Sequence, residues 1–333
     1  MPVAIVGSGR CGTSMITGML SHCGLYVGEK NALLTADERN PRGYWEHVGM
    51  REMTDRVLGH LDELYGNAAL APAGWHHNPA LEPLYDDARI IVESLASRPI
   101  WGWKYPQTSL VIPFWREVVP DLRFVLCMRN PLDAISSFAA SFAYTRPHAG
   151  ELWLLHALKV LIETEPEQRF VTYYEEYFPD YRKGLMPLLD YLGLPNPPKG
   201  SATDRAITDF HRVGLNHYHS SAEDLLTSGE ASYLMRELYV QLLSSDRHAT
   251  NIPILAHAEI YMPLLAKLYT ADTNEHHVRH LQNVLSSRTH RMASALCSLL
   301  IRLRPKKKAS LLASESSRSH GPVKKWCAAE QAE

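Results

Sequence analysis

The chain has 333 residues, 45% of them hydrophobic, enough to bury a full core in one large domain or in one domain with an appendage. Lys plus Arg number 34 against 36 Asp plus Glu, and the net charge of −2 excludes the whole-surface positive field that gathers nucleic acid. Any anion site must therefore be local. The five cysteines (Cys11, Cys23, Cys127, Cys297 and Cys327) form no CxxC pair and are odd in number, so the pattern suggests neither a disulfide framework nor a zinc ribbon. Free thiols point to a reducing, cytoplasmic setting. The N-terminus MPVAIVGSGR holds too few consecutive apolar residues for a signal-peptide core or a membrane span.

In chain order, Val3–Val6 reads as a buried strand, and the loop GSGRCGTS at 7–14 follows it directly. The spacing predicts a helix from Gly12 or Thr13 to about His22, with Met15, Ile16, Met19, Leu20 and Cys23 on one face and Gly24 closing it. A glycine-rich loop that empties onto a helix N-terminus presents backbone N–H groups and a positive dipole end to an anion. Thr13 stands where a P-loop ATPase carries its lysine, and Arg10 is the only cation in the loop. A plain strand-to-helix turn is the alternative, and only context separates the two.

Further short β-rich runs fall at Ile100–Lys104, Arg123–Met128 and Phe170–Tyr174, with helix-like stretches between them. That alternation predicts an α/β fold with a mostly parallel sheet. Arg129 lies at the end of the third run, and Ser137 follows eight residues later, where a helix can return its hydroxyl toward the same anion. After Pro198 the apolar spacing is helical, as in ASYLMRELYVQLL. From Arg302 the chain is basic, serine-rich and aperiodic. The stretch before and across Arg302 could lie on an anionic membrane or pack as a terminal helix.

With these residues in view, the sequence resembles the sulfotransferase family that uses 3′-phosphoadenosine 5′-phosphosulfate, in its bacterial carbohydrate and tyrosylprotein-type branch. Arg10, Gly12, Thr13 and Ser14 match that family's 5′-phosphosulfate loop, and Arg129 with Ser137 matches its 3′-phosphate pair. WGWKYP at 101–106 resembles a further element that sets Lys104 at a strand end facing the donor. TYYEEY at 172–177 resembles a late element that makes Tyr174 a donor contact.

Apolar spacing and composition read 201–301 as a mainly helical extension, offered as the acceptor side, and 302–333 as a basic flexible tail. The resemblance covers about residues 3–195 and implies a donor-binding core over 1–200 with a P-loop-like three-layer fold. It implies a phosphosulfate co-substrate, no metal, and a hydroxyl-bearing acceptor that is a glycan or glycolipid.

Arg10 and Lys104 would stabilise the charge that develops on the departing phosphate. The base that takes the acceptor's proton is open among Glu46, Glu29 and His47, with Glu46 preferred because NPRGYWEH resembles a stretch of bacterial members. The rival functions are a P-loop kinase, which would need a lysine in the loop and an acidic magnesium ligand, and a binding protein that has lost turnover. Trp45, Trp101 and Trp103 offer either sugar-stacking faces or core packing. His276 and His280 share a helical face, but with no third ligand beside them they read as solvated histidines.

Overall fold

The computed structural model describes residues 1–37, 40, 42–142, 144–178, 180–211 and 218–270. These all belong to one compact unit, Met1–His276. The His276 and His280 pair, Cys297, Cys327 and the basic stretch from Arg302 lie outside the described residues.

Four strands form one parallel sheet: β1 Pro2–Val6, β2 Trp101–Lys104, β3 Arg123–Met128 and β4 Arg169–Tyr173. The order is β2-β1-β3-β4. Each strand lies within one residue of its sequence expectation, because a strand buried on both faces is a short unbroken apolar run. The helices are α1 Thr13–His22, α2 Val48–Tyr65, α3 Glu82–Leu95, α4 Ile112–Val118, α5 Pro131–Ser141 and α6 Arg146–Glu163. They continue with α7 Arg182–Leu192, α8 Ala202–His211, α9 Ala222–Thr227 and α10 Tyr233–Ser244, and a further helix spans 258–270.

Alternation along the strands divides the core into two layers. Val3, Ile5, Val125 and Cys127 face α1, α7 and α8, where Met15, Ile16, Met19, Leu20 and Cys23 are buried as the helical spacing predicts. Gly24 follows the terminal residue Cys23 at φ 105°, a left-handed value that glycine adopts without strain. Ala4, Val6, Phe124, Leu126 and Met128 face the other layer, which α2 to α6 and α10 build together with Trp103, Trp115 and Trp153. The fold is therefore the three-layer, P-loop-like α/β architecture that the sequence predicts.

The chain leaves β1 toward β2 on one side and returns to β3 on the other. Such a reversal opens a crevice at the carboxyl ends of the two central strands, where ligands bind in open α/β sheets. The loop after β1 and Arg129 after β3 both sit at that point.

Trp101 and Trp103 are core residues, 5% and 0% exposed, and Trp103 Nε1 donates to Thr108 Oγ1 at 3.1 Å. Of their two readings, core packing holds. Gly102 lies between them, and a Cβ there would stand 2.0 Å from the Val3 carbonyl oxygen. Gly102→Ala is accordingly expected to destabilise the fold by more than about 2 kcal/mol, since backbone must move to admit it. Gly59, exposed within α2 with nothing near a would-be Cβ, should gain ~0.5–1 kcal/mol on Gly59→Ala. Urea unfolding of the two variants checks both signs.

Candidate active site

The loop 7–14 is strained where it matters. Arg10 adopts φ 69° and Gly12 φ 83°, and a non-glycine residue persists in the left-handed region only when its surroundings hold it there. A Cβ on Gly12 would lie 2.4 Å from the Tyr174 ring, so this position requires glycine for space as well as for φ. Gly12 caps α1 with no side-chain hydrogen bond. The first-turn N–H groups, which have no acceptor inside a helix, therefore open into a cavity of about 110 Å³ lined by Gly12, Thr13, Ser14 and Met15.

Arg10, Arg129, Ser137 and Tyr174 line the same cavity. The structure brings together the two motifs the sequence kept 115 residues or more apart. Arg10 Nε donates to Ser137 Oγ at 3.0 Å, which leaves the Ser137 proton available to a further acceptor. Among the described residues no carboxylate pairs with Arg10, and burial followed by the neighbouring Arg129 charge lowers its pKa from the ordinary arginine value. Arg129, 3% exposed, donates to the Arg10 carbonyl at 3.3 Å and to that of Tyr218 at 3.5 Å. Its guanidinium lies 4.4 Å above the Tyr174 ring. Two guanidiniums drawn to one cavity wall, with the charge of one lowering the pKa of the other, suit an anion between them.

Asn130 fixes this strand end. Its side chain accepts from Leu132 N to cap α5 and donates to the carbonyls of Ser220 and Ser221, while its own N–H donates to Glu175 Oε1 at 2.7 Å. Burial raises the Glu175 pKa above the usual carboxylate range.

A second cavity, of about 270 Å³, shares Arg10, Thr13, Ser14 and Asn40 with the first and continues to Glu46, Lys104 and Tyr105. Lys104 Nζ donates to Glu46 Oε1 at 2.6 Å, with both side chains buried, and Arg51 Nη1 stands 3.8 Å from Glu46 Oε2. Burial lowers the Lys104 pKa, and the Glu46 carboxylate opposes that shift.

The competing bases sit elsewhere. Glu29 is exposed, accepts from the Tyr26 hydroxyl at 3.1 Å and lines neither cavity. His47 caps α2, its Nδ1 accepting from Met50 N at 3.3 Å, and lines neither cavity either. Trp45, at φ 58°, packs edge-on against Phe210 and is likewise absent from both walls.

Several lining residues carry no sequence signal of their own. Asn40 donates to Ser14 Oγ at 3.0 Å, leaving that hydroxyl's proton free to point into the cavity. Arg42 and Phe210 wall the first cavity, and Phe138, Phe142, Tyr144, His156 and Tyr269 wall the second. Asn40 and Arg42 lie in the NPRGYWEH stretch that singled out Glu46, and the others arrive by packing from other elements. His76, His77 and Glu117 bring ligand atoms within 4.8 Å of one another, and these residues line neither cavity.

The sequence profile of the Sulfotransferase family matches residues 2–198. Among solved structures, sulfotransferase STF9 from Mycobacterium avium is 15% identical over 74% of this chain and 76% of its own, with a TM-score of 0.43. The sulfotransferase domain from the Synechococcus PCC 7002 olefin synthase is 16% identical over 81% of this chain and 94% of its own, with a TM-score of 0.42. The sulfotransferase domain from the curacin biosynthetic pathway is 18% identical over 60% of this chain and 76% of its own, with a TM-score of 0.38. No curated protein matches the chain.

His156 generates a prediction of its own. Burial lowers its pKa to about 4 from 6.5, opposed in part by the carbonyls of Pro106 and Gly7. Between those values the unfolded imidazole binds a proton that the folded one does not, so stability falls as pH drops from 6.5 toward 4, by roughly 3 kcal/mol in all. Urea midpoints measured across that range should fall with acid, and His156→Gln should flatten the slope.

Proposed function

This chain belongs to the Sulfotransferase family, and on that premise we propose that it transfers a sulfuryl group from 3′-phosphoadenosine 5′-phosphosulfate to an acceptor hydroxyl. The observation that carries the reading is the joining of the two arginines in one cavity, Arg10 from the loop and Arg129 with Ser137 from the end of β3 and from α5. The uncapped α1 N-terminus, Thr13 and Ser14 suit a 5′-phosphosulfate. Arg129 and Ser137, with Tyr174 beneath the guanidinium, suit the 3′-phosphate.

The residues shared by both cavities would bridge donor and acceptor. The acceptor oxygen forms a bond to sulfur as the bond from sulfur to the 5′-phosphate oxygen breaks, and the electron pair leaves on that oxygen. Arg10 and Lys104 stabilise the charge arriving there. Glu46, 2.6 Å from Lys104 in the second cavity, takes the acceptor's proton. Glu46 is preferred over Glu29 and His47 because it alone of the three lines that cavity.

A P-loop kinase is disfavoured because Thr13 replaces the lysine that such an enzyme uses on the phosphates. The acceptor is hydroxyl-bearing, a glycan or glycolipid by the resemblance. No described helix is long and apolar enough to cross a membrane. The described cysteines, Cys11, Cys23 and Cys127, are free thiols, as a reducing, cytoplasmic setting would keep them.

Adenosine 3′,5′-bisphosphate, the desulfated donor, should bind without metal and more tightly than magnesium-ATP. Arg129→Ala should weaken it by ~10- to 150-fold, the range of a lost charge-assisted hydrogen bond. Calorimetry decides, and preference for magnesium-ATP would reject the reading. Glu46→Gln should leave that affinity in place while lowering kcat by ~100- to 10,000-fold.

A further inference from the structure

Outside both cavities, a single turn at Trp75–His77, between α2 and α3, meets the last turn of α4. The two bring His76, His77 and Glu117 together: one ligand atom from each lies within 4.8 Å of the other two, and His76 Nε2 stands 4.0 Å from Glu117 Oε1. The imidazole centroids are 3.9 Å apart, with the ring planes inclined at 46°. The backbone beneath these side chains is pinned. Trp75 is buried, and the His77 N–H donates to the Gly74 carbonyl at 3.0 Å. The Tyr85 hydroxyl donates to the His76 carbonyl at 2.7 Å, while the Tyr85 ring stacks on Phe114 of α4 at 4.6 Å and 13°. One packed ring thus holds the turn and α4 in register, and a site built on fixed elements needs only side-chain motion to close.

The chemistry of the group favours a cation. Burial, and after it the neighbouring His77, lowers the His76 pKa, so that ring is neutral near pH 7 and has a lone pair to give. The carboxylates of Glu117 and Glu163 oppose that shift, and both are charges that a cation would meet favourably. Neither His76 nitrogen is hydrogen-bonded among the described residues: Nδ1 is buried without a partner, and 4.0 Å is too long for Nε2 to reach Glu117. Two imidazoles and a carboxylate are a donor set for zinc-type ions, with a fourth position left to water. Calcium and magnesium take oxygen ligands and are poorly served by it. Bonds of about 2.0–2.1 Å in a tetrahedron set the ligand atoms roughly 3.3 Å apart. The 4.8 Å group must therefore contract by about 1.5 Å at most. His77 is exposed and the Glu117 side chain is 50% exposed, so both are free to make that adjustment.

We propose that His76, His77 and Glu117 bind a zinc-type divalent ion, which clips the turn between α2 and α3 to the end of α4. These residues line neither cavity. The ion is a structural ligand, apart from the transfer chemistry, and its site stands whether or not the chain transfers a sulfuryl group.

The test takes the full chain, carrying no histidine tag and stripped with a chelator, and titrates it with Zn²⁺ by calorimetry and with Co²⁺ by visible absorption. The expected result is one ion bound per chain with a Kd below about 10 μM. Cobalt shows the absorption of a tetrahedral site, and Mg²⁺ and Ca²⁺ at the same concentrations give no binding heat. His77→Ala and Glu117→Gln, both at exposed positions, each weaken zinc by at least ~10- to 100-fold, the loss that removing a mere supporting partner brings. Zinc raises the urea midpoint of the wild type, as a ligand of the folded state does, and leaves the midpoints of both variants where they were. Adenosine 3′,5′-bisphosphate affinity is the same in all three proteins, which shows that the fold persists and that the transfer reading is untouched. Zinc affinity undiminished in either variant places the ion on other histidines or on cysteines and overturns the proposal. Zinc binding weaker than that threshold, or a wild-type urea midpoint that zinc does not move, overturns it equally.

Discussion

Two guanidiniums share one crevice, and much of the fold can be read from what is needed to keep them there. Arg10 and Arg129 emerge from the carboxyl ends of β1 and β3, the adjacent central strands between which the chain reverses direction. Neutral groups hold Arg10, with Ser137 Oγ accepting from its Nε, and the Tyr174 face and the carbonyls of Arg10 and Tyr218 receive Arg129. Burial and the neighbouring Arg129 charge both lower the Arg10 pKa, and an anion set between the two guanidiniums would oppose that shift. The left-handed turn at Arg10, the glycine at position 12 and the Asn130 bonds to Glu175, Ser220 and Ser221 all serve that one arrangement.

The second constraint is the buried pair of Glu46 and Lys104. Taking both charges from water is costly, and a pair of apolar residues of the same volume would often be at least as stable, so a pair at a cavity wall points to chemistry before it points to stability. Lys104 ends β2, while Glu46 precedes α2 on the segment that runs through Asn40, Arg42 and Tyr44. That segment contributes to both cavities and is bent by positive φ at Gly43 and Trp45. Arg10, Thr13, Ser14 and Asn40 line both cavities, so one loop borders the arginine pair and the Glu46–Lys104 pair alike.

What could be read from the sequence followed from local rules. Buried parallel strands announce themselves as short apolar runs, and the loop, Arg129 and Ser137 keep fixed offsets from strand ends, so Val3–Val6, Arg123–Met128 and, in the first cavity, Arg10, Gly12, Thr13, Ser14, Arg129 and Ser137 were legible. Spacing along the chain could not rank Glu29 above or below Glu46, because Glu29 accepts from Tyr26 only three residues away while tertiary packing alone brings Glu46 to Lys104. The ring-lined wall was illegible for the same reason. Phe138 and Phe142 look like core positions of a helix, Tyr144 like a loop residue and Tyr269 like part of a distant amphipathic helix, and only the packed chain makes them one surface. His156 gave no hint either, since a histidine in an apolar helix reads as an ordinary core residue.

The most direct measurement is a crystal structure of the chain with adenosine 3′,5′-bisphosphate bound. The account predicts the 3′-phosphate within hydrogen-bond distance of Arg129 and Ser137, and the 5′-phosphate on the N–H groups of Thr13 and Ser14 with Arg10 beside it. A nucleotide bound in the reverse sense, or seated away from the two arginines, would contradict it.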